Sequence, residues 1–460
     1  MTQNAPESAG NIVKFQISSN FTDYAVELSA GVVDFRYYEN VLTNSVTATA
    51  TCVETGYQAD DKGGASGQQS TVDGLPIRGG ERTDITIEDA YGNELTFEEG
   101  LYVNRLRDVD AGTSKDVYFI DFASREFFAN EQTRVVKRYE GNIGDNVEKI
   151  LKDVLKVTTD IEIDNTAAPY NFIGNDRKPF YICTWLASKS IPEVTTEDGK
   201  SGKGGAAGYL FFQTRDGYHF RSIDKIFTGE PKKKFIFNNS TQLPEGYDAK
   251  VLTYDINSDI DVGKNLMMGM YNNRSIFFDP LAFNYEVRSF PKAEVPQVEG
   301  DIVVDEIPTE DEYLEKTQNA AEEPVGKLIP DEFRQSPTRF MSFITDNGVM
   351  PSGIDSQEQL NTWSDEKAKD NFDVKETMSQ SIMRYSQLFT VKTEITIPGD
   401  FTIKAGDVIQ CDFPDLSGSE VKGVNTETKG IYMVASVCHR ITSTTSNTSL
   451  SLVRDSFGGK

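Results

Sequence analysis

The sequence predicts an α+β protein dominated by β structure, with two similar antiparallel β-barrels flanking inserted mixed α/β domains. Three observations carry that expectation. Short runs of β-branched and aromatic residues, broken by turn residues, occupy both ends of the chain. A helical periodicity interrupts them at 143–155. One turn pattern occurs twice, at 75–81 and 401–407. A chain of 460 residues suits several domains. The expected boundaries are a first barrel at 12–138, an inserted α+β domain at 139–245, a second inserted domain at 246–337, and a second barrel with its preceding helix at 338–460.

From 12 to 138 the chain reads as strands. Val26 and Leu28, then Val32, Val33, Phe35, Tyr37 and Tyr38, form an apolar stretch around Gly31. Residues 46–53 are small and β-branched. A Gly/Ser/Gln loop at 62–70 follows, and then Ile85 and Ile87 alternate with polar neighbours. Strands at 101–107 and 117–122 flank a turn at 110–113. Such short strands suit a sandwich or a barrel. At Asn142 the pattern changes. Ile143, Val147, Ile150, Leu151, Val154 and Leu155 fall on one face of an amphipathic helix. Pro179 can open a second helix carrying Ile182, Trp185 and Leu186. A hairpin follows, with strands at 209–212 and 218–223 and an Asp216-Gly217 turn. The expected core of this inserted domain comprises Ile150, Leu151, Leu155, Trp185, Phe211 and Phe220. A Met-rich segment at 266–271 ends a helix before further strands. Between 291 and 335 acids and prolines replace aromatics, as in an extended or partly disordered arm. A strand at 338–344 is expected to join the second barrel, and a helix at 373–385 precedes its remaining strands.

Composition removes several functions. With 46 Lys+Arg against 72 Asp+Glu, the net charge is −26. A general binder of the phosphate backbone needs clustered cations, and the longest basic run here is three lysines at 232–234. Two histidines, His219 and His439, leave little for zinc motifs or serine triads. Gly199-Lys200-Ser201 resembles the end of a phosphate loop, but Val194 stands where its first glycine belongs. Asp255, Asn257, Asp259 and Asp261 suggest a calcium loop, which Ile260 and Leu266 break at its glycine and glutamate positions. No catalytic residue, metal ligand or cofactor is therefore expected. The four cysteines are far apart and are read as reduced thiols. No apolar run approaches the ~18–20 residues of a membrane helix, no signal peptide is visible at the N-terminus, and no direct membrane insertion is expected.

The two turns share one formula. Leu75-Pro-Ile77-Arg78-Gly-Gly80-Glu81 and Phe401-Thr-Ile403-Lys404-Ala-Gly406-Asp407 both read apolar, any residue, Ile, basic, any residue, Gly, acid. Each precedes an alternating strand. Each is followed by an apolar-Tyr pair, Leu101-Tyr102 and Ile431-Tyr432, and by two more strands. An internal duplication of one β-barrel module is the reading this supports.

The last stretch, from Phe389-Thr-Val-Lys-Thr-Glu-Ile-Thr-Ile through the second turn to Gly430-Ile-Tyr-Met-Val and Leu452-Val-Arg-Asp, resembles the final barrel of baseplate hub proteins of contractile-tailed, T-even-like bacteriophages. The middle is similar too, through the helix after Asn142, the stretch from Tyr170 to Trp185, the Phe-rich hairpin and Gly269-Met-Tyr. The resemblance covers nearly the whole chain and rests on the order of loose motifs. It implies tube-like barrels and a homotrimer in which three chains present six barrels, adapting a six-fold tail tube to a three-fold spike. The implied partners are the central spike protein, tail tube or tube-initiator proteins and baseplate wedge proteins. DNA would pass through without specific binding. The implied location is the tail baseplate of a virion assembled in the host cytoplasm. Two other classes compete with the hub: a tail-associated peptidoglycan hydrolase built on a carboxylate pair, and a receptor-binding tail protein.

Overall fold

The computed structural model describes residues 10–290, 338–344 and 374–454, apart from short stretches at 22, 56–58, 61–67, 70, 72–74, 76, 112–114, 168–169, 194–206, 239–241, 259–260, 272, 280–282, 390, 415–423 and 425–427. The acidic stretch 291–335 lies outside the described residues.

The N-terminal module begins with β1 (Asn11–Ser18), β2 (Ala25–Glu27), β3 (Val32–Asn40) and β4 (Thr47–Glu54). β5 (Ala59–Asp60) and β6 (Gln68–Gln69) form a small side ribbon. β7 (Arg82–Glu88), β8 (Glu94–Thr96), β9 (Leu101–Ala111) and β10 (Asp116–Ala123) complete it. Burial alternates along β3 and β4, as the two-residue period of a strand requires. Phe35 and Tyr37 point inward from β3, and the smaller Ala48, Ala50 and Cys52 point inward from β4. The small residues make room for the edge-to-face contacts of Phe15 with Phe35 and Phe122.

The inserted domain follows. It holds α1 (Arg125–Gln132), β11 (Arg138–Tyr139), α2 (Ile143–Lys149), β12 (Asp160–Ile163), β13 (Phe172–Ile173), α3 (Pro179–Ala187), β14 (Tyr209–Thr214), β15 (Gly217–Ser222) and α4 (Ile223–Phe227). The helix expected over 143–155 is α-helical only to Lys149. Ile150–Val154 widens into a π turn, closed by Leu155 N–H donating to Ile150 O at 3.2 Å. The wider turn keeps Ile150, Leu151 and Leu155 all buried. Pro179 sits in the first turn of α3, where its missing N–H is no loss. The β14–β15 hairpin forms around Asp216, and β12 adds to it in parallel. Gly217 is obligatory there, because a Cβ would lie 1.9 Å from Asp160 O.

The chain then gives β16 (Lys233–Ile236), β17 (Ala249–Lys250), β18 (Thr253–Ser258), α5 (Val262–Met268), β19 (Asn273–Asp279), β20 (Asn284–Phe290), β21 (Arg339–Ile344), α6 (Val374–Leu388), β22 (Val391–Pro398), β23 (Val408–Asp412), β24 (Gly430–Thr442) and β25 (Ser446–Val453). α5 ends at Gly269 in the left-handed conformation, after the Met-rich segment. Two expectations are corrected here. Strand β21, assigned to the second barrel, pairs with β19 in a separate three-stranded sheet. β16 and β18, assigned to the inserted domains, pair instead with β23 and β22 of the second module, and β17 joins the same sheet through β16.

Among the described residues the chain is thus β-dominated with few helices, and its terminal modules share one continuous 15-stranded sheet. Within that sheet the neighbour order β1–β7–β9–β10–β4–β3 is repeated as β16–β23–β24–β25–β22–β18. Read along the chain, each strand of one series has its counterpart in the other. The first strands differ in direction: β1 is antiparallel to β7, whereas β16 is parallel to β23.

Candidate functional site

The two copies of the turn adopt the same hydrogen-bonded structure. In the first, Glu81 takes the Arg78 and Gly79 amides at 2.8 Å each. Gly80 N–H donates to Val103 O at 2.7 Å, and Val103 N–H donates to Glu81 O at 2.9 Å. In the second, Asp407 accepts the Lys404 amide at 2.8 Å, Gly406 N–H donates to Val434 O at 2.8 Å, and Val434 N–H returns to Asp407 O at 2.8 Å. The acid caps the turn that precedes it, and the glycine takes φ +82° in one copy and +84° in the other. One residue beyond each valine the ladder to the next strand carries a bulge, at Asn104 between β9 and β10 and at Ala435 between β24 and β25.

This equivalence corrects the apolar-Tyr alignment by one position. Val103 matches Val434, so Tyr102 matches Met433 and Leu101 matches Tyr432. The register agrees: Leu101 lies opposite Thr83 as Tyr432 lies opposite Ile409. Leu101 and Tyr432 both face inward, and a one-residue slip would turn them to the other face.

The second turn is built into a junction of three parts of the chain. β24 pairs antiparallel with β3, carrying the sheet from one module into the other. Phe401 and Ile441 of the second module enter the core of the first. A further apolar cluster joins Val41 to Leu210 and Phe212 of the hairpin and to Ala405, Val408 and Met433. At its centre lies Glu39, 1% exposed. Its carboxylate accepts the Ala405 amide at 2.8 Å, the Arg215 amide at 2.9 Å and the Tyr37 hydroxyl at 2.9 Å. Burial raises its pKa, while those donors favour the charged form. Lys404 pairs with Asp216 of the hairpin turn. Phe401 N–H donates to Asp89 of the first module at 3.0 Å. Arg440 bridges to Asp34 at 3.0 Å.

His439, 1% exposed, sits beneath this junction. Its Nε2 is 3.2 Å from Ile403 O, which can only accept, so Nε2 carries the hydrogen. Nδ1 then accepts from the Thr448 hydroxyl at 2.9 Å, and that hydroxyl accepts the Asp400 amide at 3.0 Å. The ring stacks on Tyr37 and meets the edge of Phe401. Burial, followed by the nearby Arg215 charge, lowers its pKa to about 3. The arrangement is a neutral structural imidazole. Among the described residues no group of His, Cys, Asp and Glu could hold a metal ion.

No family profile matches the sequence, and no curated protein matches it. Solved structures do. The 43 kDa tail protein of prophage MuSo2 from Shewanella oneidensis aligns over 96% of this chain and 98% of its own, with TM-score 0.51 and 9% identity. The chain has the fold of a phage tail protein. The tail protein of Neisseria meningitidis MC58 aligns over 96% of both chains at TM-score 0.48 and 8% identity. A prophage tail protein of Listeria monocytogenes EGD-e covers 95% and 94%, at 0.44 and 9%.

Within this tail-protein fold the residues singled out from the sequence fall in two places. Ile77 packs against the first core, and Arg78 lies over the Phe21 ring. Gly80 and Glu81 make the first turn; Ile403, Lys404, Gly406 and Asp407 make the second. Ile150, Leu151, Leu155, Phe211 and Phe220 are buried together, with Trp185 half-buried against them. The junction residues Glu39, Asp89 and His439 gave no signal, since single polar residues inside apolar strands have no spacing to read. The two turn glycines should respond differently to alanine. Both need a left-handed backbone, which costs about 1 kcal/mol for alanine. A Cβ on Gly80 meets only Asn20 Nδ2, at 3.6 Å, whereas one on Gly406 meets the Phe212 ring at 2.7 Å. Gly406→Ala should therefore cost about 1 kcal/mol more than Gly80→Ala. Urea midpoints of the two variants measure this, and equal shifts would remove the role given to Phe212.

Proposed function

We propose that the chain is a structural subunit of a phage tail, the central hub of a baseplate, in which three copies form a ring between the tail tube and the central spike. The observation that carries this reading is the doubled module: the same strand order, capped turn and bulge occur twice, joined edge to edge by β3 and β24. Three chains with two like modules present six, which meets a six-fold tube, while the inserted domains keep three-fold symmetry for a spike.

We further read each module as a barrel. β2 bonds β1 while β3, its continuation, bonds β4, and Leu28 N–H donates to Phe15 O at 2.7 Å across the bend. β17 bonds β16 while β18 bonds β22, with Leu252 N–H donating to Thr396 O at 2.7 Å. Each six-strand path, on this reading, returns to its start. On this reading the chain is not an enzyme, and its partners are its own copies, the spike, the tube or its initiator and the baseplate wedges. A net charge of −26 per chain suits a passage that a polyanion crosses without being held. Native mass spectrometry tests the proposal. The expected particle is about 154 kDa, three chains of 51.2 kDa. A folded monomer at micromolar concentration would overturn it.

A further inference from the structure

The seam inside the chain uses one edge from each module, and the matching edges are open. One edge of β24 is shared: β23 takes its beginning, and β3 takes Ser436 to Thr442. β9 is the counterpart of β24. On the same edge β7 takes Leu101 and Tyr102, and the first turn bonds Val103. From Arg105 to Ala111 no strand among the described residues pairs with that edge. β18 is the counterpart of β3. It pairs with β22, and no strand among the described residues lies on its other side. Both open edges carry exposed apolar side chains, Val109 at 44% and Tyr254 at 37%. An edge of this kind needs a cover.

We propose that β9 of one copy pairs antiparallel with β18 of the next copy, repeating between chains the β24–β3 seam found within each chain. The proposal rests on the self-assembling hub reading and names its interface. Such a contact is heterologous, with two different surfaces meeting, and it closes into a ring when the rotation allows. The duplication also sets the register. Val103 matches Val434 and a bulge follows each, so Arg107 matches Cys438. Ala48 faces Phe122 as Thr393 faces Leu452, so Tyr37 and Tyr38, at and beside Ala48, match Ile256 and Asn257. Cys438 lies opposite Tyr38 within the chain. Arg107 should accordingly lie opposite Asn257 of the next copy.

The test is a cysteine pair, Arg107→Cys with Asn257→Cys, under mild oxidation. The native thiols Cys52, Cys183 and Cys411 are buried and Cys438 is half-buried, so the background is low. Arg107 pairs with Asp121 at a partly exposed site, and losing such a pair costs under about 1 kcal/mol. The expected result is a non-reducing gel showing linked dimers and trimers for the double variant, and monomer bands for each single variant. Native mass is measured in parallel. An oligomer without cross-links overturns this seam and leaves the hub reading standing; a monomer overturns both. Should the double variant fail to fold, hydrogen exchange on the unmodified protein decides: slow amides at 105–111 and 253–258 support the seam, and fast exchange at both overturns it.

Discussion

Asp224→Ala is expected to destabilise the protein by about 3–5 kcal/mol, the loss seen when one member of a buried ion pair is removed. Asp224 on α4 pairs with Arg384 on α6, and both side chains have 0% exposure. The helix also meets the inserted domain through polar contacts: Ser381 bonds Ser188 O at 2.8 Å, and the Tyr209 amide donates to the Tyr385 hydroxyl at 3.1 Å. Without that carboxylate the buried guanidinium loses the ion pair that offsets its desolvation. Asp224→Ala combined with Arg384→Met removes the charge as well and should recover most of the loss. Urea unfolding followed by circular dichroism measures all three proteins. A single-variant cost below about 1 kcal/mol would mean that water reaches the pair in solution.

Acid should loosen the junction through His439. In the folded chain its pKa is about 3, against an ordinary value of 6.5. Between those values the unfolded chain binds a proton that the folded chain excludes. Stability is therefore flat above pH 6.5 and falls as pH drops toward 3, by up to about 1.4 kcal/mol per unit. From pH 6.5 to 5, before most carboxylates titrate, the loss should be about 2 kcal/mol. His439→Gln offers an amide that can still donate to Ile403 O and accept from Thr448, and it carries no proton to gain. Unfolding midpoints at pH 7 and pH 5 should drop for the wild type and hold steady for the variant. Equal drops in both would assign the acid response elsewhere.

Local pattern and distant pairing were not equally readable in the sequence. The hairpin at Asp216-Gly217, the helix opened by Pro179 and the two glycine turns were legible, because each depends on residues within a few positions of one another. β16 and β18 were not assigned correctly, since a four-residue stretch such as Lys233–Ile236 carries no mark of its partner, Ile409 to Asp412. β21 reads as a strand, and nothing in Arg339–Ile344 says which sheet receives it. α1 was missed because Arg125–Gln132 is mostly polar apart from two adjacent phenylalanines, which give no helical period. The pairing of Tyr102 with Tyr432 failed by one residue because residue identity was followed, while only the bulge and the Gly–Val bonds define the register. The junction was invisible for a simpler reason: Glu39 becomes special only when Arg215 and Ala405 are brought to it.

The joining of β3 to β24 also sets a schedule for synthesis. Arg440 reaches Asp34 across 406 positions of sequence. A ribosome adding about 5–20 residues per second takes roughly 20–80 s to cover that distance. Throughout that interval the nascent N-terminal module lacks Phe401 and Ile441 from its interior, and the edge of β3 has no neighbour. An early module is finished by a segment made about 400 residues later. Contacts this far apart slow folding, because the loop must close before they reward it. An exposed edge on many nascent chains of one polysome is also a template for joining the wrong copy. Yield of the correctly built chain is thus governed by the arrival of the stretch from Phe401 to Thr442, which supplies Phe401, Ile441 and the β24 edge.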